Sequence, residues 1–453
     1  MIRKVLVANR GEIAVRVIRA CREVGLETVA IYSEADKGSL HVELADEAYL
    51  VGPAPARQSY LNIPAIMNIV TQSGADGVHP GYGFLAENAG FASVCQLWGV
   101  KFVGPGAPAI ERMGVKAQAK ETMRQADVPV VPGSDGVVTS LSEAEAVAKR
   151  IGYPLIVKAS AGGGGRGIRV VQEPGELATA LERAASEAQA SFGDGSLYIE
   201  RFIVDPRHIE IQVVADSAGR VATLGERESS IQRRRQKVLE EAPSVAVDPE
   251  LRRRMEDAAA RAAQAVGYES AGTVEFLLDR DGAFYFMEMN TRIQVEHGVT
   301  ELVTGVDIVK EQLRVAMGES LGIPEDRVPL VGHAIECRIN AEDPQKDFRP
   351  SPGTITAFEP PGGFGVRVDS GVREGNQVSP FYDSMVAKLM TWGRDRPEAI
   401  ARMRRALREF RVEGVQTTIP LHMQLMEDPD FVAGNIDINF LERRLAEGAF
   451  TGS

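Results

Sequence analysis

Two glutamates and an asparagine lie close to the turn of one predicted hairpin. The stretch T-V-E-F-L-L-D-R-D-G-A-F-Y-F-M-E-M-N turns at Arg280-Asp281-Gly282, which makes Glu275 and Glu288 cross-strand neighbours, with Asn290 on the face of Glu288. Opposed carboxylates destabilise a strand pair unless something neutralises them. Oxygen donors without thiol or imidazole suit Mg²⁺ or Mn²⁺. The alternative is a pair of solvated surface glutamates, which the apolar surroundings disfavour.

The next residues, T-R-I-Q-V-E-H, combine an anion-binding pattern with a candidate base. In an extended chain Arg292, Gln294 and Glu296 share one face. The donor fork of arginine and the amide of glutamine suit a planar oxyanion. Glu296 is then a candidate general base beside that anion. The alternative is a structural ion pair between Arg292 and Glu296.

A run of glycines, K-A-S-A-G-G-G-G-R-G, joins the apolar stretches P-L-I-V-K and I-R-V-V. Residues 162–167 match the dinucleotide-binding fingerprint G-x-G-x-x-G, but a strand and Pro174 follow where that fingerprint needs a helix. A glycine loop between antiparallel strands can instead cover ATP phosphates. Lys158 and Arg166 favour this phosphate lid over a flexible surface hairpin. We expect the loop to be mobile without nucleotide and to become ordered over the phosphates.

The formal net charge of −12 argues against nucleic acid or an anionic membrane as a partner. A bound anion therefore needs a local basic cluster, and I-Q-R-R-R-Q-K provides one. Lys237 is predicted to point inward, whereas part of Arg233–Arg235 belongs to a solvated face. In the strand H-I-E-I-Q-V-V, His208, Glu210 and Gln212 share the face opposite the apolar core residues.

The elements that must position these residues begin with an alternation of strands and helices. K-V-L-V-A and T-V-A-I-Y are strands separated by a helix from Glu12 to Val24, and further strands are predicted around residues 76–78 and 101–103. This order predicts an open, Rossmann-like α/β layer with a parallel sheet. Its first turn, A-N-R-G-E, has a single glycine, so the layer is not expected to bind NAD.

A second segment begins near Gly114. Ser142 and Glu145 form a candidate capping box for a helix that ends at Gly152. From about Phe202 the pattern changes to antiparallel strands, and a basic helix follows near the end of the chain. At 453 residues the chain is expected to hold roughly three domains.

Composition indicates an ordinary globular protein, because 44% of the residues are hydrophobic and 25% are charged. The three cysteines show no C-x-x-C spacing, which suits a reducing compartment without structural zinc. The first residues do not form a signal peptide, and no apolar stretch approaches the ~20 residues of a membrane span. The expected location is therefore cytoplasmic.

Five motifs occur in order along nearly the whole chain. They are V-A-N-R-G-E-I-A-V-R-V-I-R-A, H-P-G-Y-G-F-L-A-E-N, K-A-S-A-G-G-G-G-R-G, M-E-M-N-T-R-I-Q-V-E-H and E-C-R-I-N-A-E-D-P. Together they resemble biotin carboxylase of the ATP-grasp superfamily. The resemblance implies a fold with α/β and α+β parts: a Rossmann-like domain over residues 1–113, an ATP-grasp region over 114–325 with a mobile glycine-rich lid at about 131–203, and a mostly antiparallel β domain over 326–453.

The resemblance also implies the residues of the site. The nucleotide and its metal would contact Lys116, Lys158, Gly164, Gly165, Glu200, Arg201, Ile203, His208, Gln232, Glu275, Glu288 and Ile438. Mg²⁺ or Mn²⁺, with two ions expected, would be held by Glu275, Glu288 and Asn290. Bicarbonate would meet Lys237, Arg292, Gln294, Val295 and Glu296. The biotin enolate would be stabilised by Arg338, near Tyr82. The implied catalytic residues are Glu296, Arg292, Lys237 and Arg338.

The implied reaction starts when Glu296 deprotonates bicarbonate, which attacks the γ-phosphate of ATP to give carboxyphosphate and ADP. Carboxyphosphate yields CO₂ and phosphate, the phosphate takes the ureido proton of biotin, and the enolate captures CO₂ as N1-carboxybiotin. The chain has no M-K-M biotin acceptor and ends at Ser453. The expected protein therefore acts on biotin attached to a separate carrier protein, with a carboxyltransferase as its further partner. The resemblance alone implies that it is a homodimer. The expected pathway step is the first half-reaction of acetyl-CoA or acyl-CoA carboxylase.

Three residues depart from the pattern of the family. Val115 stands where the family often has Asp, Arg235 where His or Asn is commoner, and Gly298 where proline is usual. The expected effects are a tolerated change at 115, a changed nucleotide affinity at 235 and a looser loop beside Glu296. Two alternative functions stay open: another ATP-grasp carboxylate ligase, and a nucleotide-binding regulatory protein without chemistry.

Overall fold

The computed structural model describes residues 2–159, 168–324 and 326–450. The predicted phosphate lid at 162–167, with Gly164 and Gly165, lies outside the described residues. The chain divides into two compact units, one comprising Met1–Val128, Arg207–Phe276 and Glu288–Ser453 and the other Pro129–Pro206 and Leu277–Met287. The domain boundaries expected at 113/114 and 325/326 stay a prediction.

The larger unit begins with alternating strands and helices, as the sequence predicts. The elements are β1 (Lys4–Val7), α1 (Gly11–Glu23), β2 (Glu27–Ser33), α2 (Leu40–Leu44), β3 (Glu47–Gly52), α3 (Ile63–Ser73), β4 (Gly77–His79), α4 (Ala89–Leu97), β5 (Lys101–Phe102), α5 (Ala107–Gly114) and α6 (Lys116–Gln125). The strands form a sheet in the order β3-β2-β1-β4-β5, and all its pairings are parallel. The parallel N-terminal layer is thus confirmed.

The ends of these helices follow local side-chain chemistry. The Asn62 side chain accepts a hydrogen bond from the Ala65 backbone N–H and caps α3, and Gly74 ends that helix in the left-handed conformation that glycine adopts without strain. Capping satisfies backbone groups that a helix leaves without partners. Local sequence therefore determines where α3 starts and stops.

The smaller unit holds helices packed on a three-stranded sheet. Its elements are α7 (Leu141–Ile151), β6 (Leu155–Ala159), β7 (Ile168–Val171), α8 (Leu177–Phe192) and β8 (Leu197–Arg201). The sheet order is β7-β6-β8, and both pairings are antiparallel. Its core is formed by apolar residues of both helices and all three strands, among them Ala148, Leu155 and Ala184.

The capping box predicted for α7 is wrong, because the residues that form it lie two positions earlier in the chain. The Ser140 hydroxyl, not that of Ser142, accepts from the Glu143 backbone N–H at 3.2 Å. The Glu143 carboxylate accepts from the Thr139 backbone N–H at 2.9 Å. Both serines precede a glutamate by three residues, so the motif alone fits either start. The predicted end at Gly152 is correct.

The rest of the chain is mostly antiparallel. Its elements are β9 (Arg207–Ala215), β10 (Val221–Arg233), β11 (Gln236–Ala242), α9 (Pro249–Ala265), β12 (Ser270–Leu278), β13 (Phe284–Asn290), α10 (His297–Thr304), α11 (Ile308–Ala316), β14 (His333–Asn340), β15 (Glu342–Asp343), β16 (Arg349–Pro350), β17 (Gly353–Thr354), β18 (Ala357–Glu359), β19 (Val366–Ser370), β20 (Gln377–Val378), β21 (Met385–Gly393), α12 (Arg396–Glu409), β22 (Arg411–Glu413), α13 (Ile419–Glu427), α14 (Pro429–Ala433) and α15 (Phe440–Ala446).

One large sheet carries most of the chemistry-bearing residues. Its strand order is β13-β12-β9-β10-β11-β14-β21-β19, and the pairings from β9 to β19 are antiparallel. The predicted turn between β12 and β13 is present, with the Asp279 backbone N–H donating to the Ala283 carbonyl at 2.8 Å. The mixed α/β and antiparallel fold class is thereby confirmed. Among the described residues, no helix is both long and apolar enough to cross a membrane.

Candidate active site

The side chain of Lys237 lies among three buried carboxylates. Its Nζ donates to Glu210 Oε2 at 2.6 Å, to Glu275 Oε1 at 3.0 Å and to Glu296 Oε1 at 2.5 Å. These carboxylates come from β9, from β12 and from the residue that precedes α10. Lys237 pairs with Gln232 across the β10–β11 ladder, and this register turns its ammonium inward while Arg234 and Arg235 stay exposed at the turn.

These groups hold one another in their charged forms. Burial alone would lower the pKa of Lys237, but the charges of Glu210, Glu296 and Glu275 outweigh it and raise that pKa. Burial alone would raise the pKa of Glu296, but Lys237, Arg338 and Arg227 hold it well below its ordinary value. The pKa of Glu275 is likewise well below its ordinary value, because Lys237 and His208 outweigh burial.

Arg338 joins Glu296 to a second buried carboxylate. In β14, its Nε donates to Glu240 Oε1 at 2.7 Å and its Nη2 donates to Glu296 Oε2 at 3.0 Å. Glu240 lies directly opposite Glu336 in the β11–β14 ladder, and both carboxylates are fully buried. Glu296 is therefore held from one side by Lys237 and from the other by Arg338.

Arg227 on β10 is the main site residue that the sequence analysis missed. Its guanidinium is fully buried and donates to five side chains. The acceptors, at 2.7 to 3.1 Å, are Glu210, Gln212, Thr273, Gln294 and Thr300. Only the fork of arginine supplies that many donors in one plane. The sequence pattern that could have identified it is E-R-E at 226–228, because alternation in a strand puts Arg227 on the face opposite to Glu226 and Glu228.

The residues predicted to hold metal lie at the edge of this cluster. Asn290 Nδ2 donates to Glu275 Oε1 at 2.9 Å. Burial, with the nearby charge of Glu275, raises the pKa of Glu288. A divalent cation would offset that repulsion, and the three side chains offer the oxygen donors that Mg²⁺ or Mn²⁺ prefers. The set therefore fits such an ion.

A second group of possible ligands lies beside the predicted set. Among the described residues, His208, Glu210 and Glu275 bring one ligand atom each within 4.8 Å of one another. His208 Nε2 donates to Glu275 Oε2 at 2.8 Å, and the Lys237 ammonium already contacts both carboxylates. This second group is held together by those protein cations and hydrogen bonds.

The segment after β13 is not a strand, contrary to the extended geometry expected from the sequence. Residues 291–292 form a bend and residues 295–296 a turn, because the chain must reach the start of α10 at His297. Gln294 still faces the cluster and donates to Glu275 Oε1 at 2.6 Å. Ile293 still faces the core.

Arg292 and Glu296 each pair with other residues, which differs from the alternative of a structural ion pair between them. Arg292 Nε donates to Glu87 Oε2 at 3.0 Å, and its Nη2 donates to Asn290 Oδ1 at 2.9 Å. The carboxylate of Glu296 is instead held by Lys237 and Arg338. Glu87, in H-P-G-Y-G-F-L-A-E-N, was not singled out from the sequence.

The proposed nucleotide residues of the larger unit lie on several different elements. Gln232 Nε2 donates to His208 Nδ1 at 2.7 Å. Lys116 begins α6, and its charge acts on Glu288. Ile438 is half-buried in the loop that precedes α15.

The proposed nucleotide residues of the smaller unit lie on or beside adjacent strands. Lys158 Nζ on β6 donates to Glu200 Oε2 on β8 at 2.6 Å. Arg201 reaches the Tyr285 hydroxyl and Asp279, each at 3.4 Å. Ile203 is buried after the end of β8.

Two departures from the family pattern have structural consequences. Val115 is the N-cap of α6 and offers that helix no side-chain acceptor, where an Asp would be worth about 0.5–2 kcal/mol. At Gly298, in the first turn of α10, a Cβ would overlap the sulfur of Met390 on β21. The methionine fills the space that a larger residue would take, and the looser loop beside Glu296 stays a prediction.

Glu240→Gln tests the electrostatics of the buried carboxylates. Burial, with the charge of Glu296, raises the pKa of Glu240 to about 7 from its ordinary 4.5 even though Arg338 opposes the shift. A raised folded pKa contributes stability that is fully present below about 4.5 and is lost as the pH rises through about 7. The variant is therefore expected to unfold at a higher temperature than the parent at pH 8 and at nearly the same temperature at pH 5.

The neighbouring residue, Glu241, supplies a control because its pKa is shifted in the opposite direction. Burial would raise the pKa of Glu241, but His333 and Arg396 lower it to about 2. Its contribution to stability is present above about 4.5 and is lost as the pH falls toward 2. Glu241→Gln should therefore destabilise the protein at both pH 5 and pH 8. A lower unfolding temperature for Glu240→Gln at pH 8 would contradict the assignment.

Comparison with known proteins covers nearly the whole chain. Three family models match: "Biotin carboxylase, N-terminal domain" over residues 1–110, "Carbamoyl-phosphate synthase L chain, ATP binding domain" over 115–323 and "Biotin carboxylase C-terminal domain" over 336–443. Biotin carboxylase 1 of Bacillus subtilis is 57% identical over 98% of each chain. The 2-oxoglutarate carboxylase small subunit of Hydrogenobacter thermophilus is 52% identical over 98% of this chain and 93% of that one.

A solved structure agrees in fold as well as in sequence. The biotin carboxylase domain dimer of the Hydrogenobacter thermophilus 2-oxoglutarate carboxylase, in complex with MgADP, ADP and bicarbonate, is 50% identical. Its TM-score is 0.89, and the match covers 100% of this chain and 99% of that one.

Fold and site together define an ATP-grasp ligase, an enzyme that uses ATP to activate a carboxylate-type substrate. The large sheet carries Glu210, Lys237, Glu275 and Arg338 of the cation–carboxylate cluster. The chain belongs to the biotin carboxylase family. Its reaction is the ATP-dependent carboxylation of biotin with bicarbonate, for which it uses ATP and Mg²⁺.

Proposed function

We propose that the cluster around Lys237 is the bicarbonate site and that Glu296 is its general base. The observation that carries this proposal is the double hold on Glu296, with Lys237 on one oxygen and Arg338 on the other. Both cations are mostly buried and charged, so an anion brought between them and Arg292 would find compensating charge. Gln294 and Val295 lie in the same segment of the chain, between Arg292 and Glu296, and are proposed to complete the bicarbonate site.

The ion pairs of Glu296 set its strength as a base. While Lys237 is bound to it, its low pKa keeps it ionised but makes it a poor proton acceptor. Lys237 is shared by three carboxylates, so a bicarbonate ion that takes up part of its charge would weaken the hold on Glu296. We infer that the substrate itself raises the basicity of Glu296. The deprotonated bicarbonate then attacks the γ-phosphate of ATP and gives carboxyphosphate and ADP.

Glu275, Glu288 and Asn290 are proposed to hold Mg²⁺ or Mn²⁺, with two ions expected. The bound metal would neutralise charge on the phosphates of ATP. His208 and Lys237 hold Glu275 in its charged form, which keeps it ready as a ligand. The proposed nucleotide contacts are Lys116, His208, Gln232 and Ile438 in the larger unit, Lys158, Glu200, Arg201 and Ile203 in the smaller unit, and Gly164 and Gly165 in the lid sequence.

Arg338 is proposed to stabilise the enolate of biotin after phosphate has removed the ureido proton. Arg338 is always protonated because Glu240 and Glu296 offset its burial and raise its pKa further. Its two contacts with carboxylates fix its position. Tyr82, whose hydroxyl donates to Glu12, is proposed to lie near the biotin ring.

We propose that the biotin is carried by a separate carrier protein and that a carboxyltransferase uses the product. The similarity to the small subunit of a 2-oxoglutarate carboxylase supports this proposal, because that relative is one part of a larger carboxylase. The dimer in the related structure supports a homodimer. Cytoplasmic location, and acetyl-CoA or another acyl-CoA as the final acceptor, belong to the same proposal.

The proposal is tested by measuring ADP release from the purified protein. Hydrolysis should require bicarbonate and should increase when free biotin is added, with biotin carboxylation detected by transfer of labelled bicarbonate. Hydrolysis that is indifferent to bicarbonate but responds to another carboxylate would identify a different ATP-grasp ligase. ATP binding without any turnover would identify a regulatory protein.

A further inference from the structure

Lys388 on β21 is a fully buried ammonium that the proposed reaction does not use. Its Nζ donates to the Val295 carbonyl at 2.7 Å and lies 3.3 Å from Glu12 Oε1 and 3.9 Å from Asp369 Oδ2. Burial alone would lower its pKa, but Glu12, Glu336 and Asp369 outweigh it and raise the pKa. The group is therefore charged at neutral pH.

Asp369 does not depend on Lys388 alone, because both Lys388 and Arg367 lower its pKa. Arg367 already donates to both its oxygens, at 3.0 and 2.7 Å. The closest contact of Lys388 is instead the carbonyl of Val295, the residue before the proposed base. A buried cation is costly unless its partners compensate it fully, so this contact calls for an explanation.

The second contact of Lys388 leads to the opposite side of the proposed reaction. Glu12, on α1, accepts a hydrogen bond from the Tyr82 hydroxyl through the same Oε1 that faces Lys388. One continuous chain of polar contacts therefore runs from Tyr82 through Glu12 and Lys388 to the Val295 carbonyl. Its two ends lie beside the groups proposed for biotin and for bicarbonate.

We propose that Lys388 and Glu12 form a positioning pair that couples the Tyr82 loop to the backbone carrying Glu296. The inference rests on the proposed function. A biotin ring that orders Tyr82 would also fix Glu12 and, through Lys388, the Val295 carbonyl and the base that follows it. By linkage, bicarbonate bound at Glu296 would favour biotin binding by the same factor.

The test compares Lys388→Met with the parent protein in bicarbonate-dependent ADP release, with and without free biotin. The variant is expected to reduce the stimulation by biotin about 5-fold or more and to raise the KM for bicarbonate. Lys388→Arg, which keeps a charged donor for the carbonyl, should recover part of the stimulation. A lower unfolding temperature with unchanged stimulation and unchanged KM would show a merely structural role and overturn the inference.

Arg396→Met is the matched control, because Arg396 is also a buried cation that donates to a carboxylate and to backbone carbonyls. It should lower the unfolding temperature and leave the stimulation unchanged; a loss equal to that of Lys388→Met would overturn the inference.

Tyr82→Phe tests the other end of the chain of contacts even if Lys388→Met does not fold. It should also reduce the stimulation by biotin, and full retention would overturn the inference. In the double variant, a loss no greater than that of Lys388→Met supports coupling through one pathway, whereas additive losses would overturn it.

A parent protein without bicarbonate dependence would overturn the proposed function and this inference together. A stimulated parent with an equally stimulated Lys388→Met would overturn the inference alone.

Discussion

Glu296→Gln is expected to lower kcat for bicarbonate-dependent ATP hydrolysis by about 10²–10⁴-fold, the usual contribution of a general base. Glutamine keeps the shape of the side chain, and its single oxygen can still accept a hydrogen bond from either Lys237 or Arg338, which in the parent protein bind different oxygens of Glu296. It cannot take the proton of bicarbonate, so the loss should fall on kcat rather than on nucleotide affinity. Steady-state kinetics together with an ADP-binding titration would separate the two.

A matched control for this variant is Glu226→Gln. Glu226 is also buried and ion-paired, with Arg252 donating to its two oxygens at 2.5 and 2.7 Å. It has no proposed role in the reaction, so its variant should lose stability and keep kcat. If Glu296→Gln kept kcat within a few-fold of the parent value, another group would have to be the base.

Arg227→Met is expected to lower the free energy of unfolding by about 3–5 kcal/mol, the cost of removing one member of a buried ion pair. Methionine leaves the Glu210 carboxylate without its closest arginine and removes the donors of four further hydrogen bonds. Lysine at this position would keep the charge but not the fork, so Arg227→Lys should recover only part of the loss. Chemical denaturation of the three proteins would measure this order.

Arg220→Met provides the comparison at the surface. Arg220 pairs with Asp326 at 2.8 Å, and 72% of the Asp326 side chain is exposed. Such pairs contribute about 0–1 kcal/mol, so this variant should unfold close to the parent. If the free energy of unfolding fell as little in Arg227→Met as in Arg220→Met, the buried network would add little stability.

The sequence predicted best those parts of the fold whose signals are local. Apolar alternation and turn residues identified the parallel N-terminal layer and the hairpin at Arg280–Gly282. The order of the large sheet could not be predicted, because its neighbours are far apart in the chain: β11 pairs with β14, and β14 with β21. Pattern alone carries no information on such long-range pairings.

The same distinction applies to the site. Glu275, Glu288, Gln294 and Glu296 lie within a short segment, so their types and spacing were enough to suggest an ion site next to a base. Arg227, Glu240 and Lys388 lie in three different strands, and their partners lie on other elements. Each becomes interpretable only when its partners, from other elements, surround it.

The contact between Gly298 and Met390 limits the order in which these two positions can change. Any residue with a Cβ at position 298 would have to occupy space that the sulfur of Met390 now fills, and overpacking of this kind costs about 1–3 kcal/mol. A smaller side chain at 390 with glycine retained at 298 would leave a void instead. Either single step passes through a less stable protein, so the two residues form an epistatic pair that is exchanged most easily together.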